Sequence, residues 1–256
     1  MENFGGEMKK AKRSKETKNL KKIISNIIIV IFLVIMIYSL IKIMIWIREN
    51  NNNNAIVEEV KEFVEEKENK YKVDFEGLKL KNSDVVGWLK VENTNIEYPV
   101  VKSTDNKYYL THSFDKSENS AGWVFADFRN FIDGTDKNII IYGHNRRDGS
   151  MFGTQSRALE EEWLSNEENH IITFITEKEY STYQIFSVYS VENEEYYIKT
   201  AFENNEEFDE FLTTIKSRSI HDFNLEINNE DQVLTLSTCA NNNNYRVVIH
   251  AKKIKE

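Results

Sequence analysis

The residues of this chain best suited to covalent chemistry are a cysteine and an arginine close to it in sequence. Cys239 is the sole cysteine of 256 residues, and it ends the run 233–239, in which β-branched and apolar residues alternate as in a strand. Four asparagines then precede a second strand-like run, 245–249, which contains Arg246. A thiol placed at a strand end beside an arginine is a candidate nucleophile, although most lone cysteines are small buried hydrophobic residues.

A histidine occupies a comparable position upstream. The run 137–142 is strand-like and leads directly through Gly143 into His144 and a loop of turn-forming residues. A thiol needs a base or an imidazolium nearby to react at neutral pH, so His144 is the candidate partner of Cys239. The alternative for His144 is an exposed loop histidine. The remaining histidines occupy no comparable setting and are predicted to be structural or solvated: His112, His170, His221 and His250.

Together, the Thr-Leu-Ser-Thr-Cys run ending at Cys239, the trailing Arg246 and the Tyr-Gly-His run ending at His144 resemble the motifs of sortases. Sortases are the membrane-anchored transpeptidases of Gram-positive bacteria, and the finer pattern is similar to class B. The resemblance covers roughly residues 55–254. It implies that Cys239 is the nucleophile, His144 the acid and base, and Arg246 an oxyanion or substrate clamp.

The chemistry of these residue types is compatible with those roles. Cys239 follows a strand and does not open a helix, so charged neighbours must stabilise its thiolate. Arg246 keeps its proton, which suits it to hold substrate or a developing oxyanion and not to act as a base. The backbone N–H of Ala240 is a further candidate oxyanion donor. Asp127 and Asp148 either orient the histidine or are solvated loop charges, and the sequence leaves both readings open.

The class B resemblance also implies residues that contact a sorting-signal peptide: Asn106, Leu110, Tyr142, Tyr197, Ile198 and Ser237. Three of them, Leu110, Tyr142 and Ile198, could equally be plain core residues. The sequence departs from some members of the family at Ala240, where an acid can occur.

Other classes of protein fit less well. In papain-like hydrolases the cysteine opens a helix and precedes the histidine, whereas here His144 comes first and Cys239 ends a strand. A metal site at these two residues lacks a third and fourth ligand at recognisable spacing, and no metal or cofactor is expected. The net charge of −9 argues against nucleic acid as a partner.

The N-terminal part predicts a membrane anchor. Residues 1–22 carry eight Lys or Arg against three Glu and are predicted to be a disordered cytoplasmic tail. Residues 23–47 are apolar apart from Lys42 and long enough, at about 25 residues, to cross a bilayer as a single transmembrane signal anchor. The basic excess places the N-terminus in the cytoplasm. A linker over 48–54 and an extracellular catalytic domain over 55–256 follow.

The remaining pattern is mainly β. Strands are predicted at 85–91, 96–101, 121–128, 137–142, 171–176, 182–191, 233–239 and 245–249. Helices are predicted at 55–71, 105–112, 156–165 and 205–216. Seven or eight strands with short helices indicate a closed β-barrel, and the sortase resemblance implies an eight-stranded one with an N-terminal helix.

We therefore expect a cysteine transpeptidase of the thiol protease type, in the cell membrane. It would cleave an Asn-Pro-x-Thr-like C-terminal sorting signal of a surface protein through a thioacyl intermediate on Cys239. The Thr carbonyl would pass to an amine of a peptidoglycan precursor or cross-bridge. The alternatives are a sortase that polymerises pilins and a catalytically inactive exported binding domain.

Overall fold

The computed structural model of the protein describes residues 4–67, 70–192, 194–240 and 245–254. The chain divides into two compact units, Met1–Asn50 and Asn51–Glu256. The first unit is helical throughout its described part, because helix α1, Phe4–Lys61, begins there. Within α1 the stretch Lys21–Lys61 contains a window of mean hydropathy 2.9, apolar enough to cross a membrane.

Two predictions about the start of the folded domain are corrected by the structure. Residues 48–54, predicted as a linker, lie within α1. Asn53 is buried there, and its Oδ1 accepts hydrogen bonds from Ser113 Oγ and, at 3.0 Å, from Asn119 Nδ2. The prediction of a linker was wrong because one asparagine of this run, Asn53, is bound to residues of the folded domain. Residues 4–22, predicted to be disordered, are also helical.

The amphipathic helix predicted over 55–71 is too long. Helix α1 ends at Lys61, and the chain turns into a hairpin of β1, Val64–Lys67, and β2, Lys70–Val73. The turn occurs because Phe63 packs against the core and its carbonyl accepts a hydrogen bond from the Asp74 N–H at 2.8 Å. A tertiary contact thus overrides the helical periodicity.

The described residues form eight further strands and three further helices. The strands are β3 Val85–Val91, β4 Glu97–Val101, β5 Phe125–Ala126, β6 Asn138–Gly143, β7 Ile171–Ile175, β8 Tyr180–Glu192, β9 Val233–Ala240 and β10 Tyr245–Ile254. The helices are α2 Phe75–Lys81, α3 Glu161–Leu164 and α4 Asn205–Ser217. Single 3₁₀ turns occupy Tyr108–Leu110, Gln155–Leu159, Glu167–His170 and Tyr196–Ile198.

The predicted eight-stranded barrel is confirmed. Its strand order is β10-β8-β7-β3-β4-β5-β6-β9, and it closes on itself. The pairs β4–β5 and β6–β9 are parallel, and the other neighbours are antiparallel. Closure leaves these strands without an exposed edge.

Local predictions hold less well where elements are short. The strand predicted over 121–128 reduces to β5, and the helix predicted over 105–112 reduces to one 3₁₀ turn. Asp105 precedes that turn as expected, since its Oδ1 accepts from the N–H groups of Lys107 at 2.8 Å and Tyr108 at 2.9 Å.

The core lies on both faces of the sheet. Residues inside the barrel, among them Leu89, Ile141 and Leu236, belong to one buried cluster. A second cluster joins the outer face of the sheet, including Val233, to apolar residues of α4 such as Phe211. Strand β9 therefore faces apolar neighbours on both sides, which explains its nearly continuous β-branched and apolar composition.

Candidate active site

Backbone register brings the three predicted catalytic positions together. In the parallel pair β6–β9, Tyr142 lies opposite Ser237 and Gly143 opposite Thr238. The residues that follow Gly143 and Thr238 in the sequence are His144 and Cys239. In the antiparallel pair β9–β10, Cys239 lies opposite Arg246. Positions far apart in the sequence therefore meet at one end of three adjacent strands.

The nucleophile candidate is placed by its backbone alone. The side chains of Cys239 and Ala240, and the turn predicted over residues 241–244, lie outside the described parts of the structure. The strand assignment nevertheless extends through both residues, so the predicted strand-end position of Cys239 is observed.

His144 is oriented by main-chain groups. Its Nε2 lies 2.8 Å from the carbonyl oxygen of Leu110, and its own carbonyl accepts from the Phe152 N–H at 3.0 Å. A carbonyl oxygen can only accept, so the proton of the neutral ring lies on Nε2 and Nδ1 is the nitrogen that is left to exchange protons. The 3₁₀ turn that ends at Leu110 thus also fixes the histidine.

A glycine is required beside the histidine ring. Gly122 has φ of +59°, and a Cβ at this position would lie 2.5 Å from the Tyr109 carbonyl oxygen and 2.9 Å from Cδ2 of His144. Any larger residue would push the imidazole or the turn out of place.

A cavity of about 260 Å³ adjoins these residues. Its lining includes His144, Arg246 and all six residues that the sequence predicts to contact a peptide: Asn106, Leu110, Tyr142, Tyr197, Ile198 and Ser237. The lining also includes residues that the sequence reasoning missed: Phe125, Gly143, Thr238, Glu194 and Glu195. Strand pairing accounts for the first three, whereas the glutamates give no signal in an exposed acidic stretch.

A buried carboxylate organises the floor of the cavity. Asp127 accepts hydrogen bonds from Asn106 Nδ2 at 2.8 Å, from the Tyr142 hydroxyl at 2.9 Å, and from Nε and a terminal nitrogen of Arg129 at 2.8 and 2.7 Å. Burial alone would raise the pKa of Asp127, but these donors outweigh it and hold that pKa below its usual value. The group is an anion that fixes two cavity residues.

Each of the two acids considered in the sequence has other partners in the structure. Within the described parts of the chain, Asp127 makes no hydrogen bond to His144. Asp148 forms an ion pair with Arg146 at 2.8 Å and accepts from Ser150. The role of orienting the ring falls to the carbonyl of Leu110.

The opposite side of the cavity is formed by residues 194–198, which we call the wall segment. The hydroxyl of Tyr197 lies 3.0 Å from Ser237 Oγ, and burial raises the pKa of this tyrosine. The Ile198 carbonyl accepts from Arg129 at 2.9 Å. Asn138 donates to the carbonyl of Lys199 at 2.9 Å. The end of the wall segment is therefore fixed to the barrel.

Behind the cavity lies a buried histidine that takes no part in its lining. His250 is hydrogen-bonded through Nδ1 to Thr235 and through Nε2 to Tyr189, each at 2.8 Å. Full burial lowers its pKa to about 3, so it is neutral at physiological pH. This is the behaviour of a structural core histidine. In the part of the chain that the structure describes, no three His, Cys, Asp or Glu side chains gather as metal ligands.

Comparison with known proteins identifies relatives of this fold and site. Residues 89–254 match the family model described as the sortase domain. The chain is 34% identical over 231 residues to Sortase B of Listeria monocytogenes, an alignment that covers 86% of this chain and 92% of the relative.

Solved structures agree. The crystal structure of sortase B from Bacillus anthracis in complex with AAEK1 superposes with a TM-score of 0.73 at 32% identity, covering 82% of this chain and 100% of that one. A Staphylococcus aureus sortase B–substrate complex superposes with a TM-score of 0.66 at 34% identity, covering 71% of this chain and 84% of that one.

Proposed function

This chain belongs to the sortase family, as a class B member and hence a cysteine transpeptidase, and we propose that it attaches surface proteins to the cell wall. The proposed substrate is a protein with an Asn-Pro-x-Thr-like C-terminal signal, and the proposed acceptor is a peptidoglycan amine. One observation supports this proposal: the register of β6, β9 and β10 places the backbone of Cys239 opposite Arg246 and one position beyond the pair that precedes His144, and both His144 and Arg246 line the cavity with all six predicted peptide-contacting residues.

The first half of the reaction forms a thioester. The Cys239 thiolate attacks the carbonyl carbon of the signal's threonine, and negative charge develops on the carbonyl oxygen. Arg246 and the Ala240 N–H are the groups proposed to stabilise that oxyanion. The tetrahedral intermediate then expels the amine of the following residue, which takes a proton from the His144 imidazolium.

The second half reverses these roles. The acceptor amine attacks the thioester carbonyl, loses a proton to the now neutral His144, and the Cys239 thiolate leaves. An amide replaces the amide that was cleaved, so the thioester conserves the bond energy, provided that the amine reacts faster than water. The site must therefore position the amine and exclude bulk solvent.

The hydrogen bond between His144 and Leu110 supports a proposal for which ring nitrogen of His144 transfers the proton. Nε2 is engaged by the Leu110 carbonyl, so Nδ1 is the proposed donor to the leaving amine. Because Leu110 also lines the cavity, peptide binding against this turn and the orientation of His144 are coupled.

The polar floor of the cavity supports a signal that begins with a polar side chain. Asp127 holds Asn106 and Tyr142 through hydrogen bonds and is itself neutralised by Arg129. Groups held in this way can bind an asparagine amide without first reorganising. A leucine at the same position could form no hydrogen bond to these groups, which favours an Asn-Pro over a Leu-Pro signal.

Peptide cleavage tests this proposal. The full-length chain in detergent would be incubated with fluorogenic Asn-Pro-x-Thr and Leu-Pro-x-Thr peptides, each with and without diaminopimelate, pentaglycine or a pilin lysine peptide. We expect faster cleavage of the Asn-Pro peptide and a product whose mass is that of the amine adduct. Preference for the Leu-Pro peptide would contradict the assignment of the signal. An adduct formed only with a pilin lysine peptide would indicate polymerisation of pilins, and no cleavage of any peptide would contradict the enzymatic proposal.

We further propose that the apolar stretch of α1 is a single membrane anchor with its N-terminus in the cytoplasm. The support is the stretch of mean hydropathy 2.9 and the basic residues that precede it. A reporter that is active only outside the cytoplasm should give signal when fused after Glu256 and none when fused at Lys22. The reverse pattern would exclude a role at the cell wall.

A further inference from the structure

We propose that Arg218 is a positioning residue that fixes the wall segment for binding of the substrate peptide. Its guanidinium lies over the ring of Tyr196, with the central carbon 4.2 Å from the ring centroid. One terminal nitrogen also lies 3.3 Å from a carboxylate oxygen of Glu194. A single side chain thus holds two residues of the segment by different kinds of contact.

The two ends of the wall segment are held by different elements. The C-terminal end is fixed at the carbonyl of Ile198 by Arg129, and just beyond the segment by Asn138. Its beginning is held by Arg218, through Glu194 and Tyr196. Without Arg218, the first half of the wall would lose its ion pair and its cationic contact while the second half stayed attached.

Tyr196 is held by two contacts of its ring. Its ring stacks on that of Tyr189 in β8, with a centroid distance of 6.5 Å and an interplanar angle of 17°. Arg218 covers it as well. The next residue, Tyr197, packs edge-on against Tyr196 at 5.6 Å and directs its hydroxyl to Ser237 in the cavity. A shift of Tyr196 is therefore passed directly to a residue that lines the cavity.

Arg218 is itself well placed for this role. It directly follows α4, which packs on the barrel through Phe208, Phe211, Leu212 and Ile215. A rigid element thus presents the guanidinium. The side chain is 42% exposed, so its removal leaves no buried cavity and no stranded buried charge. Arg218 does not line the cavity, and its effect must pass through the wall segment.

This inference rests on the proposed function, because it assigns the wall segment to peptide binding. Arg218→Ala, in the full-length chain in detergent, should raise KM for the Asn-Pro peptide about three- to tenfold and leave kcat within about twofold. The rate at which Cys239 reacts with a methanethiosulfonate reagent should not change. The KM of Arg218→Lys should lie between that of the unaltered protein and that of Arg218→Ala, since an ammonium keeps the charge but not the planar stacking.

Hydrogen exchange provides a second readout that does not depend on catalysis. The amide of Ile198 donates to the carbonyl of Glu195, in the first half of the wall segment, at 3.1 Å. Loosening of that half should weaken this hydrogen bond, so the Ile198 amide should exchange faster in Arg218→Ala even though its own carbonyl stays bound to Arg129. Lys216→Ala is the matched control, because it removes a charge from the same helix end and, among the described residues, Lys216 has no ion pair or ring contact with the wall segment. It should change neither KM nor exchange.

The outcomes separate this inference from the proposed function. Unchanged exchange in Arg218→Ala would show that this residue does not hold the wall. Faster exchange with an unchanged KM would show that the wall does not position the peptide, and either result overturns the inference. If the unaltered protein cleaves no sorting peptide, the proposed function fails, while the exchange comparison still decides whether Arg218 holds the wall.

Discussion

Replacing Cys239 by alanine should abolish turnover of the sorting peptide, with a loss on the order of 10⁶-fold in kcat, the scale seen when a covalent nucleophile is removed. The chain contains no second thiol to take over the reaction. Covalent labelling checks the same point in the unaltered protein. One equivalent of a methanethiosulfonate reagent should react with the folded protein, and modification should stop turnover.

The alanine variant should keep its fold and its affinity for the peptide. Peptide binding measured by fluorescence anisotropy should stay within about threefold, because the cavity contacts of Asn106, Tyr142 and Tyr197 do not depend on the thiol. Retention of even a hundredth of the turnover would place the nucleophile elsewhere. An inert thiol in the folded protein would favour the binding-domain alternative.

Replacing Arg246 by lysine should lower kcat about 10²-fold although the charge is kept. The backbone of Arg246 lies opposite Cys239 on one neighbouring strand and opposite Val191 on the other, which fixes the start of its side chain. A guanidinium presents two directed donors from a plane, whereas an ammonium is a compact and strongly hydrated charge. The lysine should therefore fail to hold an oxyanion in the required direction.

Steady-state kinetics with the Asn-Pro peptide checks this expectation. A loss mainly in kcat indicates stabilisation of the transition state, whereas a rise in KM alone indicates a role in holding the ground-state peptide. Arg157→Lys is the matched control, because Arg157 is exposed in a 3₁₀ turn and does not line the cavity. Activity of Arg246→Lys within about threefold of the unaltered protein would show that Arg246 contributes only its positive charge and not directed hydrogen bonds.

The parts of the fold that the sequence predicts are those with strong local patterns. Strand β9 and the strand before His144 alternate or are continuously apolar over their whole length, and α4 has an acidic and an apolar face. The family resemblance then supplies the barrel that joins them. The strand predicted over 121–128 is shortened to the two residues of β5, because only these pair with β4 and β6, and a periodic pattern cannot show where such pairing stops.

The parts that could not be predicted depend on distant partners. Asn53 has the composition of a linker residue and becomes part of the domain only through Ser113 and Asn119. For Asp127 the sequence left two roles open, orienting the histidine or facing solvent. In the structure Asp127 instead binds Asn106, Arg129 and Tyr142. These contacts link segments whose separation in the chain carries no periodic signal.

The parallel pairing of β6 with β9 also bears on the order in which the molecule assembles. It joins side chains such as Asn138 and Thr235, which hydrogen-bond across 97 positions of sequence. Loop closure over such a span is slow compared with hairpin formation. We therefore expect the reactive centre to form late in folding, so that a partly folded chain has no transpeptidase activity.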